Sequence, residues 1–430
     1  MFGATAFCGC PFTSNDNVWR NDMLKDRIAK QLSECVCFAE EDDKNIGLPY
    51  PYSVPTPGNT FRALFYWDTY FTNLGLLCSG NVQQAKQNVD DMLYLVERYG
   101  FMPNGSQKWY LSRSQPPFLS MMVYDVFENI RDMEWLQSAY DGLKKEYQFW
   151  MENRTAPNGL AHYGYTPTDP TMENWGEKWN ARTNSKAPVT GFELTGNYLA
   201  QAESGWDFTP RFGVRGQYIC CPDLNALLWQ LESNMAFFAE VLDNGEASEW
   251  SRRKHERADK MNSILWQEDA GCFADVDYVT GEVGTVFSIA AYYPMFVGMA
   301  TEEQAKRTME RIAELEHPFG VCPCGEHTMP GTFQWAAPNV WPCLQWVMYK
   351  AMRNYGFHGD AERIAQKYIN VIEENEENTG QLWEKYNADT GGCDAACEYK
   401  TPPMLGWTAG VYLKLLQDMK KCETKERIKP

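Results

Sequence analysis

Histidine is scarce in this chain of 430 residues: there are five, and they are scattered. The 14 cysteines include the close pairs Cys8/Cys10, Cys35/Cys37, Cys322/Cys324 and Cys393/Cys397, but the repeated two-residue gap of a zinc ribbon is missing. No metal site is expected, and buried or incidental thiols are. Positive charge is also short, with 39 Lys and Arg against 57 Asp and Glu and a net charge of −18. That balance opposes nucleic acid or an anionic membrane as partner, since both need a cationic surface, and it suits a small neutral ligand. No apolar run is long enough to span a bilayer. Met1 to Phe7 has no basic start and no sustained apolar stretch before Pro11, so no secretory signal is expected. Several cysteines, such as Cys35, Cys78 and Cys343, fall in helix-like segments of a chain long enough to need no staples, and the compartment expected is the cytoplasm.

Strand-like alternation is rare and short, whereas helical periodicity recurs. Apolar residues at helical spacing predict helices over residues 21–39, 82–99, 118–130 and 133–151. Further helices are expected from Asp223 as a cap, over 247–266, from Ser288, and from the capping box Thr301-Glu302-Glu303-Gln304. Three more close the chain, one ending near Tyr355, one over 360–374 and one over 408–420. The segment 153–195 is rich in Pro, Gly, Asn, Thr and Trp, and so long a connection is usually functional. Successive helices joined by long aromatic loops describe an all-α array with its chemistry on the connections. Aromatics make up 14% of the chain, including 16 Trp and 23 Tyr. Such rings suit the apolar CH faces of sugars, and large helical cores consume them equally.

Five stretches carry candidate chemistry. In Glu203-Ser204-Gly205-Trp206-Asp207-Phe208, a carboxylate stands between aromatic rings beside a glycine that lets the backbone approach a ligand closely. Earlier in the chain, Phe61 to Phe71 packs rings around Asp68; Asp68 with Trp67 is either a sugar grip or a helix cap beside a core indole. Pro103-Asn104-Gly105 and Arg113-Ser114-Gln115-Pro116-Pro117 offer fixed donors and acceptors in a rigid turn. Gln334-Trp335-Ala336-Ala337-Pro338-Asn339-Val340-Trp341 and Leu382-Trp383-Glu384-Lys385-Tyr386 follow. Glu384 is either a working carboxylate or a surface residue paired with Lys385.

In chain order, these stretches resemble the signatures of the trehalase family of glycoside hydrolases, over roughly residues 50–415. The resemblance implies a single (α/α)6 barrel over residues 46–420, with residues 1–45 as an arm and first helix packing on it and 421–430 as a tail. It implies Asp207 as general acid and Glu384 as general base of an inverting hydrolysis, with no cofactor. The aromatic flanks of Asp207 are a reason for it to hold its proton near neutrality. Substrate contacts are implied for Phe61, Trp67, Asp68, Asn104, Arg113, Gln115, Glu173, Gly205, Trp206, Trp335 and Trp341. The sequence departs from the family pattern where Thr60 replaces an arginine, Ala63 a glutamate, Ala336 an aspartate and Val340 a glycine, and where Thr171 and Met172 precede Glu173 in place of an arginine and a proline. The expected activity is cleavage of a small, trehalose-like α-glucoside. The alternatives are an α-glycosidase acting on glucosylglycerate, mannosylglycerate or another short α-glycoside and, more distantly, a non-catalytic sugar-binding protein.

Overall fold

The computed structural model describes residues 14–427 except 59, 169 and 396–398, with side chains described from residue 23 to 421, residue 170 excepted. Residues 1–13 with Cys8 and Cys10, then Cys397 and Glu398, and the side chains of 422–430 lie outside the described residues.

The described chain forms α1 (Ser14–Glu34), α2 (Tyr66–Cys78), α3 (Val82–Tyr99), α4 (Leu119–Ile130), α5 (Met133–Asn153), α6 (Glu177–Thr183) and α7 (Gly191–Glu203). It continues as α8 (Pro222–Val241), α9 (Ala247–Ile264), α10 (Tyr293–Phe296), α11 (Glu302–Met309), α12 (Pro342–Asn354), α13 (His358–Thr379) and α14 (Gly406–Arg427). Helix α2 packs on α4, α4 on α8, α8 on α10, α10 on α12, α12 on α14 and α14 again on α2, which closes an inner ring of six. The outer layer comes from α3, α5, α9, α11 and α13, with α1 packed against α14 and α2. This is an (α/α)6 barrel.

Sequence decides the layer. Ten of the thirteen residues of α2 are buried, so it presents no polar stripe and must sit inside. On α9 only Trp250, Arg257 and Met261 are buried, as a one-faced outer helix requires. Helix α3 begins on Asn81, whose side chain accepts from the Gln84 N–H, and ends at Gly100 with φ +80°. The expected first helix is shifted: Met23 is exposed, and Val36 belongs to a two-residue strand paired with Ser53. Asp223 sits inside the first turn of α8 while Cys221 holds the cap position. The segment 153–195 is not structureless, since it contains a 3-10 turn (Pro170–Asn174), α6 and the start of α7. The strands described are five two-residue antiparallel pairs that pin loops.

Candidate active site

Several connections that lead into inner helices converge at one end of the barrel. Phe65, not Asp68, is the residue before α2, and Asp68 lies in its first turn. Gln115 accepts a hydrogen bond from the Trp67 N–H at 3.2 Å, tying the Arg113–Pro117 turn to that helix start. The Asn104 amide donates to the carbonyls of Ser114 (3.3 Å) and Ala202 (3.4 Å). Fully buried Glu203 accepts from the N–H groups of Ser114 (2.8 Å) and Gly164 (2.6 Å) and from Arg154 Nε (2.8 Å) and Nη2 (2.9 Å). Four bonds meet its charge, and the two loops bearing Arg113 and Asp207 are locked together. Gly205 has φ +74°, and a Cβ there would lie 2.7 Å from the Trp67 ring, so both conformation and contact demand glycine.

These segments enclose a cavity of about 230 Å³. Its wall contains Asp207, Glu384, Phe61, Trp67, Asp68, Asn104, Arg113, Gln115, Gly205, Trp335 and Trp341, eleven of the thirteen residues expected from sequence. Trp206 stands behind the wall, fully buried, stacked on Trp335 (5.6 Å, 19°) and capped by the Arg211 guanidinium at 4.5 Å. Glu173 is exposed on the 3-10 turn before α6 and is not part of the lining. The replaced positions Thr60, Ala63, Thr171, Ala336 and Val340 do not line the cavity either. The wall also holds residues the sequence reading did not select, among them Tyr110, Arg182, Tyr198, Gln334, Tyr399 and Trp407. Tyr110, Tyr399 and Trp407 sit within or beside the motifs, whereas Arg182 carried no signal beyond its place in a long loop.

Three carboxylates share this space. Asp68 is raised to about 7, first by burial, against a hydrogen bond from its own backbone, with the charges of Glu384 and Asp207 adding to the rise. Asp207 Oδ2 lies 3.4 Å from Arg182 Nη2, and that guanidinium rests 4.6 Å over the Phe208 ring. Gln334 donates to the Asp207 carbonyl. Glu384, 3% exposed, receives the Tyr399 hydroxyl at 3.0 and 3.1 Å and the Lys385 ammonium, while Trp407 Nε1 donates to its backbone carbonyl at 3.1 Å. The pairing with Lys385 considered for a surface residue is present, but both partners are buried. A separate buried trio, Cys221, Asp223 and Asp275, has donor types that suit a metal. Arg211 Nη2 reaches Asp223 at 2.8 Å and Asp275 at 2.7 Å, so a guanidinium already meets those charges.

A helical barrel whose end carries carboxylates in an aromatic, sugar-sized recess defines a glycoside hydrolase of the (α/α)6 type. The chain matches the family model Trehalase over residues 16–420, and it belongs to the trehalase family. A periplasmic trehalase of Xanthomonas oryzae pv. oryzae is 33% identical over 395 residues, covering 86% of this chain and 68% of that protein. A periplasmic trehalase of Salmonella schwarzengrund is 32% identical over 396 residues, with the same coverage of 86% and 68%. Among solved structures, the neutral trehalase Nth1 of Saccharomyces cerevisiae superposes with a TM-score of 0.74 at 24% identity, over 91% of this chain and 79% of that one. At that identity the likeness speaks for the fold.

The relatives' names correct one expectation. They are periplasmic, which overturns the cytoplasmic assignment. Free thiols do not report the compartment, because a core of this size is stable without disulfides on either side of a membrane. The described cysteines are indeed free, and most are buried.

Proposed function

We propose that this enzyme hydrolyses the α-glucosidic bond of trehalose with inversion, in the periplasmic setting its relatives' names indicate. The observation that carries the reading is that Asp207 and Glu384 open onto one aromatic cavity together with Asp68. Trp67, Trp335 and Trp341 give the wall apolar aromatic surface for a pyranose, while Asp68, Arg113 and Gln115 offer partners for its hydroxyls. Asp207 gives its proton to the glycosidic oxygen as the bond from C1 to that oxygen breaks. Glu384 takes a proton from the water whose oxygen bonds to C1 from the opposite face. The two groups return to their starting states by exchange with solvent. The relatives that share the family are named trehalases, which favours trehalose over the glycerate glycosides.

Proton NMR of the first turnovers tests the stereochemistry. Trehalose should yield one α-glucose and one β-glucose per cleavage, and two α-glucose molecules would sink the inverting assignment. Asp207→Asn and Glu384→Gln should each lower kcat by about 10²–10⁴-fold or more while Tm stays near that of the parent.

A further inference from the structure

Glu384 and Lys385 are neighbours in the chain, and side chains of consecutive extended residues point to opposite sides. Here the backbone bends at Glu384, and both side chains turn into the same buried space. Lys385 is 0% exposed, and its Nζ donates to Glu384 Oε2. The ammonium is sandwiched between the Trp341 ring at 4.6 Å and the Tyr399 ring at 4.5 Å. Both rings belong to the cavity wall, while Lys385 lies behind them. Among the described residues Glu384 is its one carboxylate partner. A buried ammonium is costly to maintain, and a well-packed apolar residue would serve stability at least as well. Its placement is better explained by what it does to Glu384.

We infer that Lys385 is the positioning residue of Glu384: it holds one carboxylate oxygen, Oε2, so that the other, Oε1, is presented to the attacking water. The Tyr399 hydroxyl, within reach of both oxygens, steadies the same rotamer. This rests on Glu384 being the base, and the experiment separates the two ideas.

Glu384→Ala is assayed on trehalose with sodium azide, whose anion bonds to C1 from the water's side while Asp207 still protonates the departing oxygen. A β-glucosyl azide product establishes Glu384 as the base, and its absence removes that assignment and this proposal together. Lys385→Met is then made in both backgrounds. With Glu384 present, kcat should fall about 10–100-fold with KM within about threefold, while Tm drops because the Glu384 carboxylate is left buried without its partner. In the Glu384→Ala background, the azide-supported rate should be the same within about twofold whether residue 385 is Lys or Met, because Lys385 then has nothing to position. An unchanged kcat in Lys385→Met, or an equal loss in both backgrounds, overturns the proposal. Should Lys385→Met alone fold poorly, the comparison of Glu384→Ala with the double variant decides, since the double variant removes both buried charges at once.

Discussion

Arg113 is 5% exposed, and among the described residues it meets no carboxylate. Its guanidinium lies over Trp109 (5.3 Å) and Tyr110 (5.2 Å), its Nη1 reaches only Ser112 Oγ at 3.4 Å, and its Nε has no partner. A cation so placed is destabilising in the free protein and is satisfied when ligand hydroxyls arrive. Arg113→Met should therefore lower kcat/KM by about 10²-fold or more, at about 1.5–3 kcal/mol for each charged hydrogen bond lost, without lowering Tm. A clear fall in Tm with unchanged kcat/KM would make Arg113 structural instead. At this scale the sequence was legible wherever a motif was compact: Trp67-Asp68, Arg113 with Gln115, and Gly205 with Asp207 all reach the cavity. Residues delivered by folding were not legible. Arg182 is brought to Asp207 by α6, a helix of seven residues inside a stretch without periodicity, and no spacing rule anticipates that.

The barrel closes where its first and last inner helices meet. A Cβ on Gly75 of α2 would lie 2.7 Å from Gly410 Cα, and one on Gly410 would lie 1.9 Å from the Phe71 carbonyl oxygen, so α14 approaches α2 backbone to backbone. Because Trp67 and Asp68 begin α2 and Trp407 begins α14, this contact also sets the width of the cavity. Gly410→Ala should cost about 1–3 kcal/mol through overpacking and lower kcat/KM in the protein that remains folded. Gly359→Ala on α13, where an added Cβ meets nothing within 4 Å, is the control: it should leave activity alone and raise stability by about 0.5–1 kcal/mol. Thermal unfolding of the two variants checks the opposite signs. Amphipathic outer helices such as α3 showed their bounds in the sequence. Inner helix α4 was equally legible, expected over 118–130 and found over Leu119–Ile130, whereas α2, buried on nearly every side, carries no 3.6-residue stripe and the four-residue α10 is too short to register.

Across the whole molecule, buried unpaired acids and ion-paired acids pull stability in opposite directions with pH. Glu146 and Asp91 are both 0% exposed. Burial raises each of them to about 8, against one opposing hydrogen bond apiece, from the Tyr66 hydroxyl to Glu146 and from the Tyr50 N–H to Asp91, with nearby Asp90 adding to the rise for Asp91. Each also has a carboxyl oxygen without a partner, which suits a protonated group. In the unfolded chain both titrate at the ordinary carboxylate values, so between about 4 and 8 the folded state holds more protons. Their stabilising contribution is thus complete below the unfolded value and is lost as pH rises through the folded one. Glu316 works the other way: hydrogen bonds from Arg363, and next from Lys367, overcome its burial and hold it near 2, so its contribution is present above the ordinary value and is lost as pH falls towards 2. The Tm of the free enzyme should accordingly peak near pH 5 and decline towards pH 8.5. Glu146→Gln should flatten that decline: the Gln side chain keeps the shape of the protonated acid beside Tyr66, so the variant should match the parent at pH 5 and exceed its Tm at pH 8.5. Calorimetric scans at the two pH values decide it. A parent protein whose Tm rises between pH 5 and 8.5, with Glu146→Gln less stable at both, would mean that Glu146 is ionised in the folded state.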